Sequence, residues 1–538
     1  MKPDGQPVIS SDSLDSWKAI AAYLKRDERT VLRWERDRGL PVHRIPGGGK
    51  PGVYALKSEL DSWWKDAGTH PPDAREKAVR RPRTPSVAVL PFVNLSAEKE
   101  NEYFSDGLAD EIITELTRIH GLRVTARTSS FAFRDRNLDV REIGKALGVS
   151  TLLEGSVQRT GSRVRISAQL VGTGDGFHLW SECYDRDIAD VFAIQDEISR
   201  AIAAALEVRL SASRTGRPTS NPEAYNFWLK GRYYLQYETV EALAKCKACL
   251  DRAIELDSQF PQPYVALAEL YRAAAHFGTV RPRDALSHGE AAIRRALELD
   301  STLGEAHAMC GAYRAWMHFD WKGAEFEFDR ALELAPGSEP VHRMRATHYL
   351  VPTNQLREAE DEMARAVESD PLSPLACIEL GKVLLWERQF DRAQAIMKAA
   401  FDLRPDYALA VWYRGAALYF QGRIEEAVSD WQSSLAKIGP NLPMRCAIGM
   451  GLGQLGRSME ARAVLTEVED AGRSHFLTPV GLAQIHLGLG EIDAVFHWLH
   501  RAVEDRDVHI LVLPCKPIWD GIREDSRFVA LLHEMRLA

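Results

Sequence analysis

The period of the apolar positions changes twice along the chain, and each change marks a different kind of structure. Over residues 16–40 the period is helical. Trp17, Ile20, Ala21 and Leu24 recur at i, i+3, i+4 and i+7, which is one apolar face of a short helix. Lys25-Arg26-Asp27 predicts a turn, with Asp27 as the N-cap of a second helix. In that helix Val31 and Trp34 point inward while Arg29, Arg33 and Arg36 share the outer face. Leu40-Pro41 ends it. Residues 43–56, HRIPGGGKPGVYAL, predict a two-stranded hairpin with a glycine-rich tip, and Lys57 to Trp64 a third helix.

At Ser86 the pattern becomes that of alternating strands and helices. Residues 86–95 predict a buried strand, and Ser105-Asp106-Gly107 opens a helix to Ile119 with Leu108, Ile112, Ile113 and Leu116 on one face. A strand follows over Leu122 to Arg127, then a helix from Asp139 to Leu147 closed by Gly148. Three strands come next, Thr151–Gln158, Arg163–Val171 and His178–Tyr184, and a long helix from Asp190 to Leu210. In the second of them Val164, Ile166 and Ala168 alternate with Arg163, Arg165 and Ser167, so one sheet face is buried and one is wet. The order βαβαβββα is an α/β sandwich.

From Asn221 the apolar pattern repeats. Ala296, Ala331, Ala366 and Ala400 stand 35, 35 and 34 residues apart, each in the last turns of a helix. A period near 34 with two helices per unit is the tetratricopeptide signature, and about eight units fit into 221–505. The clearest is 374–407, where the small Gly381, Ala393 and Ala400 let paired helices approach and Pro405 breaks the chain. Residues 525–532 read as a terminal capping helix. Such a solenoid offers a groove for a protein or peptide partner, with Tyr264, Arg314, His342, Trp412 and Arg414 as candidate groove residues.

Charge sharpens this division. The chain's net charge is −8, yet residues 1–85 hold 17 Lys and Arg against 12 Asp and Glu and so carry +5, leaving −13 for the rest. A basic head on an acidic body fits a nucleic-acid-binding tip. Seven scattered cysteines argue against a disulfide framework and for a reducing compartment, and Cys246-Lys247-Ala248-Cys249 falls inside a helix and reads as core. No long apolar run or signal peptide is present, so the expected location is cytoplasmic. Residues 67–85, rich in proline and arginine, read as a flexible basic linker. Asp106, Asp110 and Glu111 cluster at the expected helix start, where the helix dipole and capping account for them. No motif for nucleotide, metal or nucleophilic chemistry occurs, so no catalytic, cofactor or metal site is expected.

The head resembles the winged helix-turn-helix of the MerR and excisionase group, through Trp17, Ile20, Ala21, Leu24, Thr30, Val31, Trp34, Glu35, Leu40, Pro41 and the glycine-rich turn before Tyr54. That resemblance implies double-stranded DNA as partner, with Arg29, Thr30, Arg33 and Arg36 at the major groove and Arg44 and Lys50 on the wing. Residues 86–210 resemble a domain of TolB-like, tetratricopeptide-linked signalling proteins, sometimes joined to nucleotide cyclases. The matching runs include Val89-Leu90-Pro91-Phe92, Tyr103-Phe104-Ser105-Asp106-Gly107-Leu108 and Leu153-Glu154-Gly155-Ser156-Val157. The expected plan is therefore a winged helix-turn-helix over 1–66, a linker over 67–85, a TolB-like α/β domain over 86–212 and an all-α solenoid over 221–538. It implies a non-enzymatic, DNA-binding transcriptional regulator, acting as a dimer, whose array receives a protein or peptide. The alternatives are an interaction scaffold without DNA binding, or a sensor in cyclic-nucleotide-type signalling with a ligand in the middle domain.

Overall fold

A computed structural model describes residues 12–538 apart from 27, 39, 45–52, 68–83, 97–101, 135, 137, 162, 188–189, 207–218, 236–239, 277–279, 406, 440 and 473–476. The chain divides into two compact units, Met1–Arg83 and Thr84–Ala538.

The first unit follows the helical period of its sequence. It contains β1 (Ser13–Leu14), α1 (Trp17–Leu24), α2 (Glu28–Arg38), β2 (His43–Arg44), β3 (Val53–Leu56) and α3 (Lys57–Ala67). Ser16 caps α1 by accepting from the Ala19 N–H, and Lys25 closes it in the left-handed region at φ 52°. Ile20, Ala21, Leu24, Val31 and Trp34 form the core with Leu60, and Trp34 lies 5.7 Å from Trp63. β3 is the centre of a three-stranded sheet in the order β1-β3-β2. The pairing of β1 with β3 was not visible in the sequence, because two residues are too few for a period-2 signal.

The second unit begins with a mixed sheet. Its elements are β4 (Ser86–Val89), β5 (Val93–Asn94), α4 (Glu102–Thr117), β6 (Arg123–Val124), α5 (Arg127–Phe131), α6 (Val140–Leu147), β7 (Thr151–Thr160), β8 (Arg163–Gly172), β9 (His178–Asp187) and α7 (Val191–Ala205). The strand expected over 86–95 is interrupted at Pro91, which has no N–H to give the ladder. The strand expected over 122–127 shrinks to two residues, and Arg127 opens α5 instead. The sheet order is β6-β4-β7-β8-β9, parallel through β6, β4 and β7 and antiparallel beyond. Its parallel end is buried on both faces: Leu153 packs with Leu108 and Ile112 of α4, whereas its neighbour Leu152 packs with Ile143 and Leu147 of α6. The antiparallel end is buried on one face only, with Val164 and Ile166 inside and Arg163, Arg165 and Ser167 exposed. Gly155 permits the close approach of β7 and β8, since a Cβ there would lie 2.2 Å from the Ser167 carbonyl oxygen.

Residues 222–505 form eight helix pairs, a tetratricopeptide array. First helices begin at 222, 262, 304, 339, 374, 408, 442 and 479. Ala296, Ala331, Ala366 and Ala400, the repeated small residues, are fully buried. Gly415 shows why small residues recur: its missing side chain is the space that the Trp431 indole fills. His307 and His342 clip the first helix of their pair to Glu327 and Glu362 of the second, each twenty residues on. The first helix of the fourth pair, Glu339–Arg345, continues as a π-helical turn over Ala346–Leu350.

Two further segments cover the inner wall of this array. The α/β domain joins it through the Ala126 N–H to Ser369 carbonyl bond (2.7 Å), the Gly337 N–H to Thr117 carbonyl bond (3.1 Å), and Asp370, which accepts from the Ser129 N–H and hydroxyl at 2.8 and 2.5 Å. Beyond the last pair, 3₁₀ turns at Val508–Val512 and Pro517–Ile522 lead to a final helix, Ser526–Glu534. This tail does more than cap the array. The Trp316 indole donates to the Arg506 carbonyl, the Trp321 indole to the Met535 carbonyl, and Arg388 pairs with Asp520, each at 2.7 to 2.8 Å. The tail thus returns across the array to its third and fifth pairs.

Candidate functional site

The DNA-facing residues expected from the sequence are only partly described. Arg29, Arg33 and Arg36 fall on α2, but their side chains, like the whole of Lys50, lie outside the described residues. Thr30 lies on α2 and is half-buried. Arg44 stands on β2 with an exposed guanidinium 2.8 Å from Glu35, an intramolecular partner that any phosphate would have to displace.

The acidic cluster of α4 has a different origin from the one its sequence position suggested. The helix opens at Glu102, so Asp106 and Asp110 lie beyond its first turn and do not cap it. Arginines hold them instead. Asp106 meets Arg134 at 2.5 Å and Arg127 at 3.5 Å, Asp110 meets Arg232 of the array at 2.7 Å, and Glu111 meets the same Arg232 at 3.4 Å. This network is balanced charge against charge and belongs to the junction between domain and array. Asp370, next to it, is pushed up to about 6 by burial, only partly offset by the hydrogen bonds from Ser129.

The array's interior holds a second group of charged side chains. A cavity of about 140 Å³ lies between its inner wall and the tail, and first helices from the second and the fourth through eighth pairs contribute to it. The π-helical turn presents Thr347 and His348 there, an insertion of the kind often found at functional sites. Four cationic side chains line it, Arg272, Arg343, Lys382 and Lys516, against one carboxylate, Glu379. Arg343 is paired to Glu339 at 2.8 Å and Lys382 to Glu379 at 2.7 Å. Lys516 comes from the tail, and no carboxylate of the described residues is within ion-pair reach of it. Burial lowers its ammonium to about 8, with the Lys382 charge acting in the same direction, while Cys515 and Asp507 oppose the shift weakly. His509 is driven down to about 3 by burial and then by Lys516 and Lys382, and so stands neutral. Aromatic rings complete the wall: Trp412 and Tyr413 lie 4.8 Å apart, and the Lys382 ammonium sits 5.6 Å from the Tyr413 ring centre.

Of the groove residues expected from the sequence, Trp412 lines this cavity. Tyr264 donates to the Ser258 carbonyl, Arg314 pairs with Asp320, His342 with Glu362, and Arg414 with Asp430, all ties within the array. Arg272, Arg343, Lys382, His509 and Lys516 were missed. The first three sit on first helices, where a cation facing inward was a usable signal, but nothing in the sequence sends residues 508–516 back to the inner wall. Cys246 is buried in the helix Val240–Leu256 with its thiol pushed up to about 12 by burial, the environment of a core residue. No helix among the described residues is long and apolar enough to cross a membrane.

No protein-family profile matches the chain. It is 36% identical over 261 residues, 47% of its length, to the protein of Rhizobium meliloti (strain 1021) named "Putative adenylate cyclase 3". The match covers 44% of that relative, so the chain spans less than half the length of the curated protein it matches. This corrects the expectation of a non-enzymatic chain, because the relative is named for a catalytic activity. Partial overlaps with solved structures include Pseudomonas aeruginosa pilF (17% identity, 44% of this chain, 98% of that one, TM-score 0.32) and the tetratricopeptide protein YrrB, described as having an unusual peptide-binding site (24%, 36%, 94%, 0.26). Human IFIT1 bound to PPP-AAAA is a third (13%, 65%, 83%, 0.41).

Proposed function

We propose that this chain is an interaction scaffold in nucleotide signalling, in which the α/β domain and the tetratricopeptide array act as one body that recruits a protein partner. The observation behind this reading is that body itself: the domain and the tail are tied to the array through Arg232, Asp370, Trp316 and Trp321, and other helix surface stays exposed. Phe326 and Met459, on second helices of the third and seventh pairs, are 69% and 88% exposed. A solenoid presents more surface than its own folding consumes, and the Rhizobium relative, under half of which is matched, supports a signalling context. The test cross-links the tagged full chain in its own cells and then measures each captured protein, purified, against the purified chain. A direct Kd of about 10 µM or tighter for one partner supports the scaffold, since weaker binding leaves little of the complex formed at cellular concentrations. Failure of every captured protein to bind directly overturns it. Formation of cyclic AMP from ATP is assayed on the same sample, to learn whether the relative's named activity extends to this chain.

A second reading is favoured by the head alone. It is a separate unit in which α1 and α2 precede the antiparallel pair of β2 and β3, and the first 85 residues carry +5. On this reading Arg29, Thr30, Arg33 and Arg36 meet the major groove of double-stranded DNA, Arg44 and Lys50 meet phosphate, and two heads act together. Arg33→Ala is then expected to weaken DNA binding without unfolding the head. Unchanged affinity, or binding indifferent to salt, sets the reading aside.

A further inference from the structure

We infer that the open edge of β9 is where two copies of this chain join, their β9 strands pairing antiparallel about a two-fold axis at Cys183. β9 ends the sheet, and among the described residues no strand lies against its outer side. The margin at the other end differs, since β6 there has two residues and β9 has ten. Beyond the irregularity that skips Leu179, residues 180–187 pair one to one with 170–163 of β8, so most of the edge is regular. Ser181, Glu182, Cys183, Asp185 and Asp187 are exposed, and Phe177 and Leu179 beside them are 70% and 50% exposed. Sheet edges are ordinarily blunted by lysine, by proline or by shortness, and β9 has none of the three. Its charges are largely settled within its own copy. Asp185 holds Arg163 and Arg165 at 2.7 and 2.6 Å, Arg186 pairs with Glu197 at 2.8 Å, and Glu182 accepts from the Tyr184 hydroxyl at 3.1 Å.

The order of residues along β9 selects a second copy as the occupant. Facing residues of an antiparallel pair share one hydrogen-bonding type, and the type alternates along the strand, so a two-fold axis always sets one residue opposite itself. An axis at Glu182 or Asp185 brings two carboxylates face to face, which is destabilising. An axis at Cys183 opposes no like charges: Ser181 faces Asp185, Glu182 faces Tyr184, and Trp180 faces Arg186, a ring opposite a guanidinium. It also pairs residues 179–187, whereas an axis at Ser181 or Tyr184 pairs the shorter 178–184 or 181–187. The product is one sheet that runs through both copies. This pairing requires neither the protein partner nor the DNA site proposed above, so its failure leaves both readings standing.

The experiment follows the mass of the full chain by sedimentation between about 1 and 100 µM. A reversible dimer is expected. At the axis the two Cys183 Cα atoms stand about 4.5 to 5.5 Å apart with both side chains on one face, within the reach of a disulfide. Diamide, which takes up the two thiol hydrogens as the S–S bond forms, is therefore expected to cross-link the dimer. Cys183→Ser is expected to lose the cross-link and remain a dimer. Cys183→Lys is expected to raise the dimer Kd by about tenfold or more, because it sets two ammonium groups against each other. Cys183 is exposed, so neither change disturbs the core, and circular dichroism and melting curves check this. A chain that stays monomeric at about 100 µM overturns the inference. So does a dimer that folded Cys183→Lys leaves unchanged, which would place the contact on another surface.

Discussion

The inner wall of the array meets another part of the chain in two places, and the two differ in how their charges are settled. At the α/β junction every acidic group of the α4 cluster faces an arginine: Asp106 has Arg127 and Arg134, and Asp110 and Glu111 share Arg232. Under the tail Arg343 and Lys382 have Glu339 and Glu379, and Lys516 has no carboxylate of the described residues within ion-pair reach, its ammonium lowered to about 8 chiefly by burial. A balanced buried network holds two surfaces in register, and an unbalanced one leaves an electrostatic demand that a ligand can meet. The junction is accordingly the mechanical seam of the body and the roofed cavity its candidate site.

The comparison can be broken at the seam first. Arg232→Met removes the shared partner of Asp110 and Glu111 and is expected to destabilise the body by about 3 kcal/mol, read as a fall in its melting transition. Melting unchanged by this substitution would deny the seam its structural role.

Asp370 gives the next largest effect. Asp370→Ala leaves the Ser129 N–H and hydroxyl without their acceptor and is expected to cost about 2 kcal/mol. The Asp370 carboxyl also imposes a pH dependence. Its folded value, about 6, lies above the ordinary 3.8, so the folded chain binds the proton more tightly. Its contribution to stability is therefore greatest below pH 3.8 and is lost as the pH rises through 6. Melting curves of Asp370→Asn between pH 4 and pH 7 are expected to lack that decline.

Lys516 sharpens the contrast from the other side. Its folded value, about 8, lies below the ordinary 10.5, so the folded chain holds this proton more weakly and its contribution to stability rises as the pH climbs from 8 towards 10.5. Lys516→Met is expected to remove that rise and to stabilise the chain at pH 7 by about 1 kcal/mol. A substitution that destabilises the ligand-free protein would mean that Lys516 has a structural partner rather than an open demand.

The smallest effect is expected at Arg423, whose pairing with Glu426 is on an exposed helix surface. Arg423→Ala should leave the melting temperature essentially unchanged. A larger change there would remove the distinction between settled surface pairs and the buried seam.

Much of this molecule was legible along the chain. The first-helix face of Ile20, Ala21 and Leu24 with the partly buried Trp17, the alternation of Val164, Ile166 and Ala168, and the recurrence of Ala296, Ala331, Ala366 and Ala400 all turned toward the core as their periods required. The cap residue Gly148 ended α6 where it stands. Strand lengths around Pro91 and Arg127 were misjudged, since a missing N–H and an early helix start act over one or two residues, below the reach of a periodic pattern.

The sequence by itself determined the local elements, their pairing into repeats and the split between a basic head and an acidic body, because those follow from spacing and composition within tens of residues. Only the tertiary structure decided which charges meet. Arg232 reaches Asp110 across more than a hundred positions, Ser129 reaches Asp370 across 241, and the tail brings Lys516 to the cavity that Lys382 lines. Such meetings depend on how elements distant along the chain pack together, which no local pattern encodes.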